Sequence, residues 1–193
     1  MSFKTSLILF AIFMVAGLSG YLAVRNGSYP VTVVNFRMIT ANELTRDSLT
    51  AQTYFKNDFR ARSLDQNQLD TPQSQLEIKR AVLDNLISNL LVIQELHRRL
   101  KNDYQSVAEN KIAQVLKVNQ NLELGIKTLY GIEFPEFKER ILRPQAYREI
   151  LEGRMFLNNE NFDDWLKNAR ARATVIILSP NLQWQNGELK LLN

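Results

Sequence analysis

The feature that most constrains the fold is the pattern of apolar residues between Leu76 and Leu100. Leu76, Leu83, Leu86, Ile87, Leu90, Ile93 and Leu100 follow the three-and-four spacing of one helical face. Leu91 and Val92 widen that band between Val82 and Ile93. A stripe broader than one face must be covered from more than one side, so the spacing predicts a long helix at the centre of a helical body. Thr71-Pro72, just ahead of it, supplies a cap and a first-turn proline to start it.

A second strong signal lies at the other end of the hydropathy scale. Thr5 to Val24 is a run of 20 residues without a charge, bracketed by Lys4 and Arg25. As a helix it would reach about 30 Å, the thickness of a bilayer's hydrocarbon core. Residues 1–25 are therefore read as a transmembrane signal anchor, with membrane lipid as the partner of residues 5–24. The alternative is a cleaved secretory signal, with Lys4 as its basic region and Leu7 to Leu18 as its apolar stretch. Against cleavage, the small residues Ala16, Gly17, Ser19 and Gly20 are followed by further apolar ones, Tyr21 to Val24. Both readings send the remaining chain of about 165 residues across the membrane, and that length suffices for one domain with a sizeable core. The favoured orientation has the N-terminus inside and the domain on the extracytoplasmic side.

Residues 26–30, with Gly27, Ser28 and Pro30, form a short linker. Val31 to Val34 is a β-branched run that predicts a strand. Thr40 and Glu43 make a capping box for a helix carrying Leu44, Leu49, Tyr54, Phe55 and Phe59. After the central helix, Asp103 to Ser106 is read as a turn. Ser106 with Glu109 would be a second capping box, for a helix containing Ile112, Val115, Leu116 and Leu122. Phe134-Pro135 opens the next helix, whose face is Phe137, Ile141, Tyr147, Ile150 and Leu151; Pro144 must kink or split it. A short helix with Phe162, Trp165, Leu166 and Ala169 precedes a second β-branched strand, Val175 to Leu178. Asn186-Gly187 is a hairpin dipeptide inside a C-terminal tail, residues 181–193. Two isolated strands at opposite ends of a helical domain need partners for their backbone groups, and pairing them with each other is the economical solution.

Composition excludes several classes of chemistry. Of the net charge of +4, Lys4 and Arg25 contribute two, so the domain carries only +2 and no nucleic-acid partner is expected. The absence of cysteine removes disulfides and thiol catalysis. His97 is the one histidine and sits between Leu96 and two arginines, a poor setting for a metal. No serine has glycine neighbours suited to a nucleophile elbow, and the seven glycines do not cluster into a phosphate loop. Asp163-Asp164, and Glu133, Glu136 and Glu139, are read as helix-start acids, and Arg170 and Arg172 as helix-end bases, all complementing helix dipoles. No catalytic residue, cofactor or metal is assigned, and the expectation is a binding protein rather than an enzyme.

Three stretches together resemble the N-terminal domain of the SurA family of extracytoplasmic chaperones, which includes PrsA- and PpiD-type foldases. They are V-T-V-V-N-F-R-M-I-T-A-N-E-L from Val31, L-D-N-L-I-S-N-L-L-V-I-Q-E-L from Leu83, and F-D-D-W-L-K-N-A-R-A-R-A-T-V-I-I-L-S-P from Phe162. Y-G-I-E-F-P-E-F-K-E-R-I, from Tyr130, continues the order of elements between the second and the third. The resemblance implies a mainly α fold over residues 31–180, following the transmembrane helix, with a small β element joining its N- and C-terminal ends. It also implies an ATP-independent chaperone or peptide-binding module whose partners are unfolded or extended polypeptides. Two departures stand out. Phe36 occupies the position after Asn35 where the family usually has glycine, so the tight turn is expected to rearrange. The parvulin isomerase module that many members insert before the closing helix has no room between Met155 and Phe162. Within such a module the candidate peptide-binding residues are Tyr54, Phe55, Phe59, Phe134 and Phe137, because aromatic side chains dominate binding hot spots. The alternative is a non-catalytic assembly protein that holds one dedicated partner in a membrane complex.

Overall fold

The computed structural model describes residues 21–192, except for 23 and 119–121. The anchor expected over 5–24 lies almost wholly outside the described residues. Among those described, no helix is long and apolar enough to cross a membrane.

The order of elements is β1 (Pro30–Val34), β2 (Arg37–Thr40), α1 (Ala41–Ala61), α2 (Pro72–Leu100), α3 (Asp103–Val118), α4 (Leu122–Tyr130), α5 (Phe134–Phe137), α6 (Arg143–Leu157), α7 (Phe162–Arg172), β3 (Val175–Ile177), β4 (Leu182–Gln185) and β5 (Glu188–Leu191). The expected cap holds α1: Thr40 accepts from the Glu43 backbone N–H while the Glu43 carboxylate accepts from the Thr40 N–H. Thr71 caps α2, with Pro72 in its first turn. The start of α3 differs from expectation. It begins at Asp103, and the Ser106 hydroxyl donates to the Asp103 carbonyl instead of forming a capping box. Leu122 likewise opens its own helix, α4, rather than extending α3.

Helix α2 is the spine, as its wide stripe predicts. At 29 residues it is about 43 Å long. Leu83, Ile87 and Leu91 pack with Val31, Val34, Ile39 and Leu44 in one core cluster. Val92 and Leu96 enter a second, with Tyr104, Ile112, Tyr147, Leu151, Met155 and Phe162 from α3, α6 and α7. One helix thus joins two cores.

The terminal strands pair with each other. The sheet order is β2-β1-β3, both pairs antiparallel, with Val33 opposite Met38 on one side and Ile176 on the other. Asn35 secures this clasp. Its N–H donates to the Thr174 carbonyl, its side-chain oxygen accepts from the Thr174 N–H at 3.0 Å, and its amide donates to Gln94 of α2 at 2.9 Å. Residues 182–191 of the tail pack into the same body. β4 and β5 form the Asn186-Gly187 hairpin, and Leu182 and Leu189 are buried in the first core. Arg170 does more than complement a helix end. Its guanidinium reaches Asp84 and Ser88 of α2 and the Gly187 carbonyl, and lies 4.9 Å from the Trp184 ring centre.

The β1–β2 turn does not rearrange around Phe36. Asn35 and Phe36 both have positive φ, 46° and 67°, the pattern of a two-residue hairpin in which the second residue is normally glycine. Phe36 therefore accepts a left-handed backbone with its side chain 96% exposed, so no packing offsets the strain. Phe36→Gly is expected to raise unfolding stability by about 1 kcal/mol in urea titrations. An unchanged or lower midpoint would show that the ring makes a stabilising contact.

Candidate functional site

Helices α1 and α2 face each other across a groove bordered on its third side by the segment between α5 and α6. Two cavities, of about 330 and 290 Å³, lie along it. In the first, Leu86, Leu90 and Ile93 of α2 face Glu43 and Arg46 of α1, with Met38 and Ile39 of β2 at one end. In the second, Ile78, Ala81, Val82 and Asn85 of α2 face Thr50, Ala51, Tyr54 and Phe55 of α1, with Ile141 opposite. The α2 positions form one stripe from Ile78 to Ile93, beside the buried stripe of Leu83, Ile87 and Leu91. Leu91 and Val92, which widen the band, are buried in the two cores, and Leu86, Leu90 and Ile93 of the narrower face form groove wall. Fifteen helical steps span about 22 Å, the reach of six or seven residues of extended chain.

Asp47 and Arg140 line both chambers and form the waist between them. Arg140 donates through Nη2 and Nε to Asp47 Oδ1, at 2.6 and 2.7 Å, and through Nη2 to Thr50 Oγ1 at 2.9 Å. Its other amino group pairs with Glu136, which also accepts from Arg46 at 2.7 Å. Glu136 is thus a bridging carboxylate rather than a plain helix-start acid, and Glu133 and Glu139 likewise pair, with Lys127 and Arg143. Local backbone chemistry aims Arg140 inward. Pro144 offers no N–H to the helix and would crowd the carbonyl four residues earlier. The chain instead widens into a π-turn over Lys138–Leu142, with the Arg143 N–H donating five residues back to Lys138. The expected split at Pro144 is this turn, and Glu139, Arg140 and Ile141 reach the groove from it.

The five aromatic candidates occupy different places. Tyr54 and Phe55 line the second chamber, and Phe55 is 40% exposed. Phe137 is buried, with its ring centre 5.0 Å from Tyr130, which in turn stacks on Tyr54 at 5.0 Å. It backs the wall instead of lining it. Phe59 and Phe134 are half-buried and border neither chamber. Sequence reasoning missed the aliphatic wall of α2 and the Asp47–Arg140 waist. The wall residues share the three-and-four spacing of the core residues, so spacing alone does not separate them, and nothing in the sequence pairs residues 93 positions apart.

The two carboxylates around Arg140 are displaced from their usual ranges in opposite directions. Burial pushes Asp47 above the usual aspartate range, outweighing the attraction of Arg140. The hydrogen bond from Arg46, helped by Arg140, holds Glu136 below the usual glutamate range. Ionised Asp47 thus costs the folded state stability at neutral pH, a cost relieved as pH falls through its raised pKa. Glu136 contributes stability above its unfolded pKa and loses it as pH falls through its lowered one. Arg140→Met would strand Asp47 ionised and half-buried, so it is expected to cost about 2 kcal/mol at pH 7. That cost should shrink on acidification as Asp47 takes up a proton. Urea unfolding at neutral and at acidic pH measures it, and a pH-independent cost would show that Asp47 is not the group left stranded.

A family model for the SurA-like N-terminal domain matches residues 1–124. That stretch supplies β1, β2, α1, α2 and α3, and so both helical walls of the groove; the π-turn and its Arg140 lie beyond it. No curated protein and no solved structure matches the chain. On a match spanning well over half its length, the chain belongs to the SurA-like N-terminal domain family, the chaperone-type, peptide-binding part of SurA-like proteins.

Proposed function

We propose that the chain is a membrane-tethered, extracytoplasmic holdase that captures unfolded polypeptide without ATP and without bond chemistry. The observation that carries this reading is the half-exposed apolar stripe of α2, Ile78 to Ile93, facing α1 across two chambers that share Asp47 and Arg140. A groove of that length takes a short extended segment, and burial of its side chains supplies affinity at about 25 cal/mol per Å². Tyr54 and Phe55 form the aromatic wall of one chamber, and the aliphatic side chains of Leu86, Leu90 and Ile93 form the other. Such surfaces are tolerant of sequence, which suits a broad set of clients. Residues 5–24 supply the tether, on the strength of their length and lack of charge.

The test uses the full chain in mild detergent with several unrelated, chemically unfolded proteins. Their aggregation, followed by light scattering, is expected to be suppressed. Leu90→Asp, which puts a charge on the half-buried groove wall where it borders the first core, is expected to abolish the effect while the helical circular dichroism is retained. Binding to one folded partner, with every unfolded client left to aggregate, would instead establish the dedicated-partner role. Intact mass spectrometry of the mature chain is expected to include residues 1–25, and a mass lacking them would mean a cleaved signal and no tether.

A further inference from the structure

Backbone accounting in the three-stranded sheet leaves one strand edge open beside the groove. In β1 the Val31 carbonyl accepts from Leu178 at 2.8 Å, and the Asn35 N–H donates to Thr174 at 2.9 Å. Odd-numbered residues of β1 therefore direct their polar groups toward β3, and Thr32 and Val34 direct theirs toward β2. Their β2 partners are Ile39 and Arg37. Between these two, Met38 must point its N–H and C=O away from the sheet, because in-plane direction alternates along a strand. The next outward N–H, on Thr40, is taken by the Glu43 carboxylate at 2.8 Å. Among the described residues nothing pairs with the backbone of Met38, which is 61% exposed. The opposite edge of the sheet, β3, lies against β4.

Met38 and Ile39 also close one end of the first chamber. The open donor and acceptor therefore border the apolar trough. We infer that β2 is a docking edge: an unfolded client segment enters in extended form, adds as a fourth strand along Met38, and lays alternate side chains against Leu86, Leu90 and Ile93. This rests on the holdase reading and adds to it the conformation in which the client is held. Main-chain bonds are blind to sequence, so strand addition gives affinity that any non-proline segment can use. The edge is one residue long, bounded by the turn at Phe36 and by the Thr40 capping box, and so short an edge resists pairing with other copies of the chain.

Backbone N-methylation separates strand addition from side-chain burial. The probe is a labelled seven-residue peptide of alternating valine and threonine, with two versions methylated on one or the other alternate set of amide nitrogens. Binding to the full chain in detergent is read by fluorescence anisotropy. One methylated version is expected to lose about tenfold in affinity and the other to stay within about twofold of the parent, because only one set of amides faces β2. Met38→Pro, which removes the outward N–H, is expected to weaken the parent peptide by a similar factor, whereas Met38→Leu is not. If both methylated peptides bind like the parent, or both fall equally, strand addition is overturned while capture in the groove stands. If the parent does not bind although unfolded proteins are still held, strand addition alone fails. If neither is bound, the holdase reading fails with it.

Discussion

The antiparallel pairing of β1 with β3 is the constraint on which the rest of the structure depends. It joins segments 139 residues apart in sequence, as the Asn35–Thr174 hydrogen bond shows. Closing so long a loop costs roughly 4 kcal/mol of chain entropy beyond a constant, and three strand pairs of modest net worth do not offset that alone. The ladder persists because its inner face is buried on α2: Val31, Thr32, Val34 and Ile39 are all shielded from water beside Leu83, Ile87 and Leu91. Asn35 adds a polar rivet, since one side chain binds both the strand across from it and Gln94 on the helix beneath. Sheet and spine are therefore stable only together.

The same helix that anchors the clasp also builds the groove. An α2 with one apolar stripe would have sealed itself against the two cores. Its second stripe, shifted around the helix axis, finds only partial cover from α1 and the π-turn, and what is left uncovered becomes the trough. Apolar surface left open in a folded domain is usually a site of association. Here it is bordered by Glu43, Arg46 and Glu139, and the Asp47–Arg140 pair lies between its two chambers. Pro144 contributes at a distance, since the π-turn it imposes turns Arg140 toward Asp47.

Much of this was legible in the amino-acid order. The capping pair Thr40 and Glu43, the Thr71-Pro72 start, the Asn186-Gly187 hairpin and the split at Pro144 are local, governed by residues a few positions apart. The pairing of the two β-branched segments was legible too, because unpaired strand groups have few places to go in a helical domain. β2 was not: Arg37 to Thr40 has no alternating run long enough to announce a strand, and it forms because the left-handed Asn35-Phe36 turn folds it back onto β1. Ser106 looked like a cap, but Asp103 already starts the helix and takes the serine hydroxyl for its own carbonyl.

By itself the sequence determined the helical class, the central position of α2, the union of the chain's two strand segments and the family resemblance, because each is set by spacing along the chain or by backbone groups that must find partners. Only the tertiary structure decided which half of the α2 band is core and which is groove, that Arg140 meets Asp47 across 93 residues, and that Met38 presents an open strand edge to the trough. Those outcomes depend on how helices α1 and α2 are set against each other and on the in-plane direction of one peptide group. Neither quantity leaves a mark on hydropathy or residue type, so neither could be read before the chain was folded.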